Sequence, residues 1–236
     1  MKVRISRDGR MEEKELLLIS HRGGRGFGPE NTLHSLRKAL DFGVEMVETD
    51  VRMSADGVPV IHHGPFLGYR LLGRMSYEEI KERAPEVPSL EEYLEAVEGR
   101  CALNLEVKSC HPGVLASLLE RAHQGPPPLV SSFDARFLEA FAATGYRAEI
   151  GLLTQYQRDP DRTLREAGAC GASVILPLVF TVDGELVEAA HREGLRLIAW
   201  TVNSRQQAGE LLESGIDGMI TDEYPDLLDY LQENYC

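Results

Sequence analysis

Positive charge is scarce in this 236-residue chain: 25 Lys and Arg stand against 38 Asp and Glu, a formal net charge of −13 at pH 7. Nucleic acid and anionic membranes would be repelled at long range, which argues against both as partners. An anionic ligand would have to be held by local positive charge. Cysteine is also sparse, and Cys101, Cys110, Cys170 and Cys236 are scattered without the paired spacing of a zinc site. No secretory-type segment opens the sequence, so free thiols and a cytoplasmic location are expected. The longest uncharged apolar-leaning run, Ala172 to Val182, falls short of the roughly 20 residues that span a bilayer. Stable membrane insertion is not expected.

What is present is a regular alternation of apolar, β-branched runs with segments of helical period. Strands are predicted at Leu16–Ser20, Met46–Arg52, Ala102–Lys108, Leu129–Phe133, Glu149–Thr154, Ser173–Leu178, Arg196–Val202 and Gly218–Thr221. Between them lie helix signals: capping boxes at Ser89/Glu92 and Ser204/Gln207, and glycines at helix stops such as Gly43 and Gly215. Eight strand–helix units in a chain of this length favour a single (β/α)8 TIM barrel over a doubly wound sheet. The domain is expected to span residues 16–236, after a polar extension, residues 1–15, that reads as frayed and is assigned no function; Met11 offers an alternative start. One insertion breaks the spacing from Gly64 to about Pro85, after a short extra strand at Val58–Ile61. Its apolar residues suggest a small flap packed on the barrel, and dimerisation through it is left open.

In such barrels chemistry sits at the carboxyl ends of the strands. The first strand delivers His21 and Arg22 into a glycine-dense turn, where Gly23, Gly24, Gly26 and Gly28 would let backbone approach a ligand closely. A fixed cation beside an imidazole suits a phosphate ester. In METDVR, Glu48 and Asp50 share one strand face, and in LNLEVK so do Asn104, Glu106 and Lys108. Three carboxylates from neighbouring strands form an oxygen cage for one hard divalent cation, Mg²⁺ or Ca²⁺. Neutralisation by Arg52 and Lys108 alone is the plainer alternative. His62 and His63 are adjacent, so only one of them can enter the site. His34 and His191 read as helix-surface residues, and His111 and His123 as residues of polar connections. Trp200 ends the seventh strand, either as core packing or as an aromatic wall.

Taken in order, ISHRGG, PENT, ETDV, DGVPVIHH, LNLEVK, SSFD, AWTVN and DGMITDEYP resemble the glycerophosphodiester phosphodiesterase family across nearly the whole chain after residue 15. The resemblance implies a metal-dependent barrel that hydrolyses glycerophosphodiesters to sn-glycerol 3-phosphate and an alcohol. It implies His21 and His63 as the acid–base pair, Glu48, Asp50 and Glu106 as metal ligands, Arg22 and Lys108 on the phosphate, and Trp200 on the glycerol. It also favours a cyclic phosphate route, with His21 expected to accept the 2-hydroxyl proton and His63 to protonate the leaving alcohol. The chain departs from the family pattern at Gly64, where Asp usually follows the second histidine, and in GYRLLGRM beyond it. The alternatives are a lysophospholipase D-like hydrolase and a non-catalytic phosphodiester-binding barrel; a metal-dependent aldolase or isomerase fits the Arg22–Lys108 pair less well.

Overall fold

The computed structural model describes residues 1–7, 10–155 and 159–236. Its apolar runs form eight parallel strands: β1 (Leu17–Ser20), β2 (Met46–Met53), β3 (Ala102–Val107), β4 (Leu129–Ser132), β5 (Glu149–Thr154), β6 (Val174–Pro177), β7 (Arg196–Ala199) and β8 (Gly218–Thr221). Each pairs with the next, and β8 pairs back onto β1 through Ile220 and Ile19, so the sheet closes. Helices α1 (Leu33–Phe42), α2 (Tyr77–Arg83), α3 (Leu90–Val97), α4 (Pro112–Ala122), α5 (Ala135–Ala142), α6 (Pro160–Cys170), α7 (Gly184–Arg192), α8 (Arg205–Ser214) and α9 (Tyr224–Tyr235) fill the connections, with α2 belonging to the insertion. This is the expected (β/α)8 barrel. The largest difference in strand length is at β7, which leaves the sheet after Ala199.

Period-two alternation divides the apolar residues into two layers. Ile19, Met46, Leu129, Leu153, Val174, Leu176, Ile198 and Ile220 fill the barrel. Val47, Leu103, Leu105 and Val130 face outward into a larger core with Leu36, Leu94, Leu115 and Leu138 of the helices. The inward set changes character along β2 and β3: Met46 and Ala102 lie at the amino ends, whereas Glu48, Asp50, Asn104 and Glu106 are buried further along. Local chemistry fixes the helix ends. Ser89 and Glu92 form the expected reciprocal capping box on α3, and Ser204 caps α8 by accepting from the Gln207 N–H at 3.2 Å, one half of the expected box. Gly43 closes α1 at φ 93°, a left-handed conformation that a side chain would strain.

The stretch read as a frayed extension is ordered on both sides of its turn. Residues Lys2–Arg7 pair antiparallel with Arg10–Glu15, while Asp8 and Gly9 lie outside the described residues. Its polarity hid a charge match: Lys2 lies opposite Glu15 and Arg4 opposite Glu13, and cross-strand pairs of opposite charge support a hairpin. Val3 is buried, and Lys14 Nζ lies 2.8 Å from Asp217 Oδ1 of the barrel.

The insertion contains a two-residue hairpin, Phe66–Leu67 with Arg70–Leu71, followed by α2. Val60, Leu72, Met75, Ile80, Ala84 and Val87 form a side core beneath it, whereas Phe66, Tyr69 and Leu71 are exposed. No helix among the described residues is long and apolar enough to cross a membrane. Because Ile80 is fully buried, Ile80→Ala should cost about 2–5 kcal/mol of global stability in urea unfolding. A loss below about 1 kcal/mol would show that the insertion is a loose flap whose packing the barrel does not feel.

Candidate functional site

Strand register brings the acids together. Glu48 lies opposite Asn104 and Asp50 opposite Glu106 on adjacent β2 and β3, all on the inward face. One oxygen each from Glu48, Asp50 and Glu106 lies within 4.8 Å of the others, and all three residues are buried. Lys108 donates to Glu106 Oε1 and lies 3.3 Å from Asp50 Oδ1. Glu48 Oε2 accepts the Arg22 backbone N–H at 2.8 Å, and Asp50 Oδ2 accepts from Asn31 Nδ2 at 2.8 Å. That leaves Glu48 Oε1 and Asp50 Oδ1 buried without a hydrogen bond from any described residue. Burial, and then the charges of Asp50 and Glu106, push the Glu48 carboxyl well above the usual range; Glu106 is raised by burial and by Asp50. Burial works against the Lys108 charge, but Glu106 and Asp50 outweigh it and raise the ammonium above its ordinary value.

A hard divalent cation fits this donor set. It would meet oxygen ligands only, use the two oxygens that lack a hydrogen bond, and favour the charged forms of Glu48 and Glu106.

Both histidines expected in the site reach it. His21 Nδ1 lies 2.8 Å from Asp222 Oδ1, and its Nε2 is 3.8 Å from Glu48 Oε2. His63 Nε2 accepts from Arg22 Nη2 at 3.0 Å, while Arg22 Nη1 donates to Glu30 at 2.9 Å. With Gly64 offering no carboxylate, the His63 main chain is tied instead by Arg52, whose Nε donates to its carbonyl at 3.0 Å. His62 bonds the Gly64 carbonyl through Nδ1. The remaining histidines have local roles: His111 caps α4, His123 contacts the Pro126 carbonyl, His191 pairs with Asp217, and His34 is exposed on α1. Trp200 donates from Nε1 to the Leu176 carbonyl and meets Phe133 edge-on at 5.6 Å, with Lys108 Nζ 5.7 Å from the Phe133 ring centre.

Two of the loop glycines are required by close packing within the chain. A Cβ on Gly26 would sit 2.5 Å from the Asp222 carbonyl, and one on Gly24, at φ 89°, would sit 2.9 Å from the Ser35 carbonyl. Gly24 and Gly26 thus let the loop lie close against the chain itself.

Asp222 and Asn203 were not singled out from the sequence. Asp222 accepts from Asn203 Nδ2 at 2.9 Å as well as contacting His21. Burial opposes the Asp222 charge, but these bonds outweigh it and bring its pKa down to about 2. The available sequence signal is period: Gly218, Ile220 and Asp222 alternate on the inward face that ends β8.

The sequence model of the Glycerophosphoryl diester phosphodiesterase family matches residues 21–226. A glycerophosphodiester phosphodiesterase of Bacillus altitudinis is 30% identical over 234 residues, covering 89% of this chain and 95% of that protein. One from Caldanaerobacter subterraneus subsp. tengcongensis is 27% identical over 240 residues, covering 92% and 98%. Among solved structures, an Oleispira antarctica phosphodiesterase in complex with the product sn-glycerol-3-phosphate superimposes with a TM-score of 0.84 at 26% identity, covering 91% of this chain and 96% of that one. With the family pattern running from His21 to Asp226, this chain belongs to the glycerophosphoryl diester phosphodiesterase family.

Proposed function

We propose that this protein is a metal-dependent phosphodiesterase that hydrolyses small glycerophosphodiesters to sn-glycerol 3-phosphate and an alcohol. The observation that carries the reading is the buried Glu48–Asp50–Glu106 cluster with two oxygens that lack a hydrogen bond, set beside Arg22, Lys108 and two histidines. Its four unpaired cysteines suit the cytoplasmic setting expected from the sequence.

Glu48, Asp50 and Glu106 would hold one divalent cation, Mg²⁺ or Ca²⁺, which supplies charge neutralisation and polarisation of a phosphoryl oxygen. Arg22 and Lys108 bring two more positive charges to the phosphate within an acidic protein. Trp200 and Phe133 offer an aromatic wall for the glycerol carbons. His63 Nε2 takes a proton from the substrate 2-hydroxyl as that oxygen attacks phosphorus. His21 Nε2 protonates the departing alcohol oxygen, leaving a cyclic phosphate. Water then opens the ring with the two roles exchanged. This order reverses the one expected from sequence: Arg22 donates to His63 Nε2, so that nitrogen carries the lone pair, and it becomes free for the hydroxyl proton when the guanidinium turns to the phosphate. Asp222 holds His21 through Nδ1, which directs Nε2 toward the acids. Acid–base catalysis contributes about 10²–10⁴ in rate, and the tethered hydroxyl adds an effective molarity on the order of 10⁵ M or more.

A second reading, turnover of lysophospholipids, is favoured by the exposed Phe66, Tyr69 and Leu71 of the insertion that follows His63.

The test is release of glycerol 3-phosphate from glycerophosphocholine by chelator-treated protein, with and without Mg²⁺ or Ca²⁺, beside lysophosphatidylcholine. Release from the small diester only when metal is added is expected, with His21→Ala and His63→Ala each lowering kcat by about 10²–10⁴. Metal-independent release contradicts the cation, preference for the lipid supports the second reading, and silence on both substrates points to a binding protein. In the same assay a 2-deoxy diester should be nearly inert; cleavage at the normal rate would rule out the cyclic route.

The pH profile follows from His63. Burial, then Arg22 and Lys108, pull its pKa below the ordinary 6.5 against the opposing pull of Asp50 and Glu30. A base acts unprotonated, so activity falls as pH drops through that pKa. At saturating metal, the acid limb of kcat/KM should therefore lie below 6.5; a limb near 7 or above would assign the base elsewhere.

A further inference from the structure

Asn31 is buried at 5% exposure and holds a left-handed backbone at φ 57°, a conformation open to few residues besides Gly, Asn and Asp. Its side chain uses both ends. Nδ2 donates to Asp50 Oδ2 at 2.8 Å, and Oδ1 accepts from Thr49 Oγ1 at 2.8 Å and from the Asp50 backbone N–H at 3.4 Å. Its own N–H donates to the Arg22 carbonyl at 2.7 Å, so the residue bridges the His21–Arg22 loop to β2.

The consequence falls on Asp50. With Oδ2 engaged by Asn31, the other oxygen, Oδ1, is left toward Lys108 and free of hydrogen bonds. A carboxylate held by one oxygen presents the other in a fixed direction, and such orienting partners tune metal affinity. Only a carboxamide gives this arrangement: a hydrophobic residue lacks the donor, and a carboxylate would face Asp50 with like charge. The Asp50 carboxylate, which only accepts, and the Asp50 backbone N–H, which only donates, set which end of the amide is the donor, and Thr49, on the outward face of β2, steadies that orientation by donating its hydroxyl to Oδ1.

We infer that Asn31, steadied by Thr49, is a positioning residue that aims Asp50 Oδ1 at the Glu48–Glu106 pair and thereby sets the affinity of this site for a divalent cation. The inference rests on the metal reading of the cluster given above.

The experiment is calorimetric titration of chelator-stripped full-length protein with Mn²⁺, together with thermal unfolding in the absence of metal. The variants are Asn31→Gly, which keeps the left-handed backbone without the amide, and Thr49→Val, which removes only the orienting hydroxyl. Asn31→Gly is expected to weaken Mn²⁺ binding about 10–100-fold, with metal-free unfolding still cooperative. Thr49→Val should weaken it in the same direction by a smaller factor. A purely structural role would lower the metal-free Tm and leave the Mn²⁺ affinity of the folded protein alone, so Mn²⁺ dissociation constants within twofold of wild type overturn the inference. If Asn31→Gly fails to fold, the folded Thr49→Val protein decides by the same criterion. Wild-type protein that binds no Mn²⁺ at all would overturn the metal reading itself and this inference with it, an outcome distinct from equal binding by wild type and variants.

Discussion

Three carboxylates held close together inside a barrel are the constraint on which the rest of this site depends. At the 4.8 Å limit that encloses their oxygens, two full charges repel by about 3 kcal/mol at an effective dielectric constant near 20. Lys108 supplies one positive charge to the cluster and touches Asp50 and Glu106, while Glu48 accepts the Arg22 backbone N–H and lies 3.8 Å from His21 Nε2. Burial therefore drives Glu48 and Glu106 toward their protonated forms unless more positive charge arrives. A divalent cation at the cluster would resolve that imbalance where one ammonium does not. The fold makes the crowding possible by placing β2 beside β3 in a register that stacks Glu48 with Asn104 and Asp50 with Glu106.

One short segment connects this cluster to the rest of the mouth. In Glu30–Asn31–Thr32, Glu30 holds the Arg22 guanidinium, Asn31 holds Asp50, and Thr32 caps α1 by accepting from Ser35 N–H. Arg22 in turn reaches His63 with its side chain and Glu48 with its backbone. On the opposite side Asn203 and Asp222 carry His21, and Arg25 lies between Glu30 and Asp222, 3.4 and 3.8 Å from their carboxylates. The two histidines are thus supported by different loops, one through an arginine and one through a carboxylate. That asymmetry is the physical basis for giving them different first tasks.

The barrel was legible because its signals are periodic and local. Alternation placed Glu48, Asp50, Glu106 and Lys108 on one side of two strands, and the Ser89/Glu92 box marked a helix start. What escaped were interactions whose partners are distant in sequence. Asp222 lies 201 residues from His21, and no spacing within DGMITDEYP discloses that contact. The amino-terminal hairpin was hidden because its order comes from matching a basic strand to an acidic one rather than from an apolar face. The loop glycines were read correctly as permitting close approach, but what approaches is the α1 backbone and the Asp222 carbonyl.

The most direct measurement is anomalous diffraction from a crystal soaked in Mn²⁺. A single strong peak within bonding distance of Glu48, Asp50 and Glu106, close to the 2.0–2.6 Å range of hard-cation oxygen ligands, is the predicted result. Absence of a peak at the cluster, with the Lys108 ammonium filling the space between the acids, would contradict it and leave the three carboxylates as a lysine-neutralised group.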